Sequence, residues 1–261
     1  MGLKNKIISA LINLGMKFMS DNSLKSVMFL GCSPKKVASH VIMPVTDFIK
    51  KRILMHFGDE KPKQHGEVYT GKYNYKEISI ISSGIGCPAT SLKLEALRDM
   101  QIKAIVRFDL CGSLTNDVEI GDIVIANRAI CGDGTSPHYW NFEKEKIIDC
   151  NEELFKKFTK ILDENEVKYH VGPVWTTDAL FKETPELIQR ALNKSGIAID
   201  METSIIYTYG KLYEIPSISI MIVSDQPFKN EEGFAIPNLN SKIIDNIQKI
   251  AKLILEGFSQ I

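Results

Sequence analysis

The sequence predicts an α/β protein, a single-domain three-layer α/β/α fold around a central mixed sheet. Three observations predict it. β-Branched apolar runs alternate with helical patterns from Ser26 to the end of the chain, as in a sheet sandwiched between helices. No linker, repeat or low-complexity tract breaks the alternation, so residues 26–261 read as one domain behind an N-terminal amphipathic extension, residues 1–25. With 261 residues, 44% apolar and 25% charged, the chain can bury a substantial core.

The elements follow in order. In the extension, Lys4 and Lys6 precede Ile7, Ile8, Leu11, Ile12 and Leu14, while Asn13, Gly15 and Lys17 interrupt the apolar run. With no small-residue cleavage site after it, this reads as an amphipathic helix docked on the body or on a partner, not a signal peptide. Residues 27–30 read as a short buried strand ending at Gly31. Residues 67–73 and 77–82 read as a hairpin turning near Asn74. A helix over 88–100 presents Leu92, Leu94, Ala96, Leu97 and Met100. Strands are expected at 104–108 and 123–126, with loops at 109–116 and 133–141. Then come a helix at 152–164, a strand at 169–174, a helix at 185–192 and a strand at 197–200. A helix over 202–212, a strand over 217–223 and a helix over 240–255 complete the chain. In such sheets ligands gather at the carboxyl ends of strands, so the loops at Gly31, Gly84, Asp109, Thr176 and Asp225 are expected to face one crevice.

Charge and cysteine content exclude several classes. Lys+Arg and Asp+Glu are both 32, which argues against non-specific binding to nucleic acid. The five cysteines are odd in number and form no C-x-x-C pair, so buried thiols are expected rather than a disulfide framework or a zinc site. No stretch is long enough to span a bilayer, and a cytoplasmic protein is expected.

Four segments carry candidate chemistry. Residues 197–204 deliver Asp200, Met201 and Glu202 to the start of a helix. A carboxylate there can accept two hydrogen bonds from a sugar diol while Met packs on the ring, although Glu in a first helical turn also matches the helix dipole. Residues 82–86, Ser-Ser-Gly-Ile-Gly, join a strand to a helix, where glycines permit close backbone approach and free N–H groups face an anion; a plain tight turn has the same sequence. Gly31 to Lys36 end in two cations that suit a phosphate or a solvated turn equally. Arg107 ends an apolar run, where a guanidinium must meet an anionic ligand or a structural carboxylate.

The order of these motifs resembles the purine/uridine phosphorylase family of nucleoside phosphorylases. The resemblance covers about Ser26 to Leu255 and rests on residues 31–36, 82–88, 107–113, 121–123, 176–181, 200–202 and 223–225. It implies attack of inorganic phosphate on C1′ of a nucleoside, giving free base and ribose 1-phosphate. It further implies an oxocarbenium-like transition state, no metal or organic cofactor, and a homo-oligomer, a hexamer or dimer. Carried over by position, Met201 and Glu202 bind ribose. Gly31, Lys36 and Arg107 bind phosphate, and Asp225 protonates N7 of a purine. Leu180, Phe181 and Trp175 are candidate walls for the base.

The chain also departs from that family. Where the family places Gly and then Thr or Ser after the strand Arg, this sequence has Asp109 and Leu110. At an effective dielectric near 20, like unit charges about 4 Å apart repel by about 4 kcal/mol, enough to weaken phosphate binding severely. Asp109 is expected to repel the phosphate or to pair with Arg107 or Lys36. Residues 182–186 lack the Gln and Arg that uridine-specific members present to uracil, and Asp225 favours a purine. The resemblance thus implies a purine nucleoside phosphorylase. A silent nucleoside-binding relative and a phosphate-independent nucleosidase are its alternatives.

Overall fold

The structure is a computed structural model and describes residues 5, 6, 9, 14, 15, 17–58, 61–143, 145–229 and 239–260. Ile7, Ile8, Leu11 and Ile12 of the expected N-terminal amphipathic extension, and residues 230–238, therefore lie outside the described residues. Helix α1 (Asp21–Leu30) opens with the Ser20 side chain accepting from the Ser23 N–H. It closes at Gly31, whose φ of 70° is the left-handed conformation that glycine adopts without strain. Ser26 and Leu30, one helical turn apart, are buried. Lys25 pairs with Glu95 at 2.8 Å and Asn22 donates to the Asp99 carbonyl. Residues 27–30 are thus the last turn of a docked helix and not a strand. The expected boundary after residue 25 falls inside this helix.

The first strand of the sheet is β1 (His40–Met43), followed by α2 (Asp47–Met55), which Thr46 caps. Strands β2 (Lys63–His65), β3 (Val68–Tyr73) and β4 (Lys76–Ile81) form an antiparallel edge. Asn74 and Tyr75, at φ of 45° and 68°, make the β3–β4 turn in the position expected. After α3 (Gly86–Leu97), strand β5 (Ala104–Ser113) runs through the segment expected to be a loop after Phe108. Next come β6 (Ile123–Cys131), the short α4 (Ser136–Trp140), β7 (Ile147–Asp149) and α5 (Glu152–Glu164). Strand β8 (His170–Thr176), α6 (Pro185–Asn193), β9 (Ala198–Asp200), α7 (Thr203–Leu212), β10 (Ser217–Asp225) and α8 (Ser241–Ser259) complete the order.

The sheet is mixed, as expected. β1 is parallel to β4 and β5, and β5 is parallel to β10. β6 is parallel to β8 and β8 to β9, whereas β10–β6 and β5–β9 are antiparallel. Strands β5, β10, β6, β8 and β9 thereby close into a ring, with β1, β4, β3 and β2 as an open wing. Helices cover both faces. Ile105, Met221 and Val223 pack in the core shared with α1, α3 and α7. Their strand neighbours Val106, Ile220 and Ile222 pack with α2, α5 and α8. Burial on both sides is why these strands read as continuous apolar runs rather than alternating ones. All five cysteines are buried and free. Among the described residues no helix is long and apolar enough to cross a membrane.

Candidate active site

A cleft opens at the carboxyl ends of β1, β5, β9 and β10. It is lined by Val45 and Thr46 after β1, Ile85 before α3, Arg107 and Asp109 to Gly112 on β5, Leu180 and Glu183 after β8, Ile199 to Glu202 and, on β10, Ser224 and Asp225. Along β5, residues 105, 107, 109 and 111 share one face by the two-residue period of a strand. Arg107 and Asp109 therefore project together, toward the α3 and α7 side.

Glu202 is fixed at both oxygens. Its Oε1 accepts the Gly86 N–H at 2.8 Å, and its Oε2 accepts from Arg107 Nη2 at 2.6 Å. Gly86 has φ of +83°, which lets the peptide approach the carboxylate where another residue would be strained. Each carboxylate oxygen retains a lone pair for a further donor, which suits two adjacent hydroxyls. Burial pushes the Glu202 carboxyl up, Arg107 opposes this, and Asp200 adds to it. Met201 also lines the cleft, and its carbonyl accepts from the Cys87 thiol.

Asp200 does structural work beneath this pair. Its Oδ2 accepts from the Thr203 N–H at the start of α7 and lies 3.3 Å from Arg107 Nη1, and its Oδ1 accepts from Thr176. Arg107 is fully buried between the two acids, whose negative charge holds its proton against the cost of burial. Its Nε and Nη1 have no hydrogen-bond acceptor.

Asp109, expected to repel phosphate or to pair with Arg107 or Lys36, has backbone partners instead. It pairs with neither Lys36 nor, by hydrogen bond, Arg107. Its Oδ2 accepts the backbone N–H groups of Val45 and of Thr46, the latter at 3.1 Å, and its Oδ1 accepts its neighbour Leu110's N–H at 2.8 Å. Three converging N–H groups beside a guanidinium form an anion nest, and here the anion is the protein's own carboxylate. Burial raises the Asp109 carboxyl, opposed by Arg107 and by the same three N–H groups.

Asp225, at the end of β10, lines the same cleft. Its Oδ1 accepts from the Ser224 hydroxyl at 2.6 Å, yet burial pushes it up to about 6. Glu183, which sequence reasoning passed over as a segment without Gln or Arg, is buried in the same cleft. Its Oε2 has no partner, and burial, then Asp225 and Asp200, push it up to about 8. Thr184-Pro185, a cap and first-turn proline, marks the start of α6 immediately after it, but a helix start does not tell a buried acid from a solvated one.

Of the residues expected to form the site, Arg107, Met201, Glu202, Leu180 and Asp225 meet in this cleft. Gly31 and Lys36 do not. Gly31 ends α1 against Gly66, and Lys36 is exposed with its carbonyl held by Thr70. The loop after the first strand is 44–46, because that strand is β1 and not residues 27–30. Phe181 is exposed and outside the lining, turned away as the Leu180–Lys182 turn points Leu180 inward. Trp175 is core, packed with Leu114, Ile130 and Ile188.

Cys87, Asp133 and Asp178 bring possible metal-ligand atoms within 4.8 Å of one another. Part of that set is already engaged within the protein. Asp133 accepts from Thr135, Ser136 and Ser204, and Asp178 accepts from Gly134, while burial keeps the Cys87 thiol protonated.

This architecture occurs in proteins of known chemistry. The guanosine phosphorylase of Halorubrum lacusprofundi is 25% identical over 193 residues, spanning 73% of this chain and 79% of that protein. Uridine phosphorylase from Vibrio fischeri superposes with a TM-score of 0.77 at 22% identity, covering 88% of this chain and 95% of that one. The 5′-methylthioadenosine/S-adenosyl homocysteine nucleosidase of Campylobacter jejuni superposes with a TM-score of 0.72 at 15% identity, covering 86% of this chain and 100% of that one. A sequence model described as the Phosphorylase superfamily matches residues 45–258. The chain belongs to that superfamily, and is an enzyme.

Proposed function

We propose that this enzyme cleaves the N-glycosidic bond of a purine nucleoside and passes the pentosyl group to water. The observation that carries the acceptor is the filled anion nest. The N–H groups of Val45, Thr46 and Leu110 all bind Asp109, so an incoming phosphate meets a carboxylate where it needs donors. The charge balance supports the same reading. Arg107 is the one cation among the described residues lining the cleft, against Asp109, Glu183, Asp200, Glu202 and Asp225.

In this mechanism Glu202 accepts from the ribose hydroxyls and Met201 packs on the sugar. As the C1′–N9 bond breaks, its electron pair passes to the base and Asp225 gives a proton to N7. Positive charge developing on the sugar is stabilised by the surrounding carboxylates. Water attacks C1′ and its proton passes to Asp109. A carboxylate raised toward neutrality is a better base than a free one.

Phosphorolysis is the second reading, favoured by the two Arg107 donors that lack acceptors. It requires Asp109 to leave the nest or take a proton. Initial rates of base release from inosine, guanosine, adenosine and uridine, with and without inorganic phosphate, separate the two. Equal rates support water as acceptor; release only with phosphate rejects it. A homo-oligomer, a hexamer or dimer, is part of the proposal by family resemblance, and sedimentation velocity checks it.

A further inference from the structure

The segment leading into α1 presents an apolar face that the body of the protein does not cover. Among its described residues, Asn5, Lys6, Ser9, Leu14, Gly15 and Lys17 are helical and exposed. At about 100° per residue, Leu14 and Phe18 share one face, and Asn5, Lys6, Ser9 and Lys17 share the opposite one. Leu14 is 54% exposed and Phe18 83%, and neither joins a hydrophobic cluster of the core. In the sequence, Ile7 and Leu11 fall at the spacing that continues the face of Leu14 and Phe18. On α1 itself Ser26 and Leu30 are buried, while Met28 is 64% exposed. Single exposed apolar residues are ordinary; a row of them at helical spacing marks an interaction surface.

Charge identifies the partner. From residue 4 to residue 20 the sequence has three cations, Lys4, Lys6 and Lys17, and no Asp or Glu; the first acid, Asp21, begins α1. The whole chain is balanced at 32 against 32, so this excess is local. The folded body adds cations where the segment enters it. Asn22 donates to the Asp99 carbonyl, and from the next residue, Met100, the chain borders a shallow cleft that Ile102, Lys35 and Lys103 also line. Both lysines are exposed, and no carboxylate lines that cleft. The acids nearby are already engaged, Glu95 by Lys25 and Arg98, and Asp99 by Arg98. A second copy docked on this face about a two-fold axis would set these lysines against themselves.

We propose that this segment lies on an anionic lipid surface. Leu14 and Phe18 enter the acyl boundary, and Lys6, Lys17, Lys35 and Lys103 meet the phosphate headgroups. Asn13, Gly15 and Lys17 interrupt the apolar run, which suits a helix lying in the interface and not one that crosses it. The family match begins at residue 45, so this attachment is a property of the added segment and is independent of the chemistry in the cleft.

Co-sedimentation of the full chain with vesicles tests this. Vesicles of phosphatidylcholine with about 30% phosphatidylglycerol should bind the protein, and phosphatidylcholine alone should bind it at least about tenfold more weakly. Raising salt from about 0.1 M to about 1 M should remove most of that difference, because the Debye length falls from about 10 Å to about 3 Å. Phe18→Ser should weaken binding to the anionic vesicles by about 10- to 100-fold. Lys6→Gln combined with Lys17→Gln should weaken it by about 30-fold. These side chains are exposed, so each variant should keep the melting temperature of the wild type, which separates lost binding from lost folding. Equal binding to both kinds of vesicle, binding to neither, or binding that survives Phe18→Ser would overturn the proposal. So would self-association in sedimentation velocity that Phe18→Ser abolishes, since that assigns the face to a second copy.

Discussion

Replacing Asp109 by Asn removes one charge from the anion nest and keeps nearly the same shape. At an effective dielectric near 20 and a separation of about 4 Å, a carboxylate and one phosphate charge repel by about 4 kcal/mol. At about 1.4 kcal/mol per decade, relief of that term strengthens phosphate binding by up to about a thousandfold. The same change removes the base that activates water, for which a loss of about 10²- to 10⁴-fold is expected. The two effects move in opposite directions, which makes the variant diagnostic. Base release from guanosine should be independent of phosphate in the wild type. In Asp109→Asn it should be slow without phosphate and should rise as phosphate is added. The Asn carbonyl can keep part of the bonding to Val45, Thr46 and Leu110, so a stability loss of about 1–3 kcal/mol is the expected side effect. An Asp109→Asn protein with unchanged hydrolysis, or one that gains no response to phosphate, would refute the placement of Asp109 at the acceptor subsite.

Other expectations follow from the same geometry. Arg107→Met strands Glu202 and Asp200 without their buried cation and should cost about 3–5 kcal/mol, lowering the melting temperature by on the order of 10 °C in a calorimetric scan. Asp225→Asn should lower the rate of base release by about 10²- to 10⁴-fold while 9-deazaguanosine still binds. Because Glu183 lies near 8 in the folded chain and near 4.5 when unfolded, the folded state holds an extra proton between those values. The stability this confers is complete below about 4.5 and lost as pH rises through about 8. Glu183→Gln should therefore match the wild type in thermal unfolding near pH 4.5 and exceed it by a few kcal/mol near pH 9.

Much of the fold was legible because its signals are local. Asn151 and Asn240 cap helices whose apolar residues recur with helical period, and α5 spans the range expected of it. Residues 27–30 misled because four apolar residues before a glycine suit a buried strand or a last helical turn equally. The Ser20 cap decides between them, and it lies upstream of the run. That slip moved the expected phosphate loop from 44–46 to 31–36. The sugar side of the site was legible because Met201 and Glu202 sit at a strand-to-helix junction that sequence order defines. The acceptor side was not. Sequence shows a charge at Asp109, but its partners are the peptide groups of Val45 and Thr46, more than sixty residues away. Glu183 was hidden for a similar reason, since nothing in Lys182-Glu183-Thr184 distinguishes a buried acid from a solvated one.

The acceptor of the pentosyl group decides between a filled and an open anion nest. Single turnover of guanosine in ¹⁸O-labelled water containing phosphate, followed by mass analysis of the sugar, reads the acceptor itself. The predicted product is ribose carrying one ¹⁸O at C1. Unlabelled ribose 1-phosphate would contradict the filled nest and return Arg107 to service as a phosphate ligand.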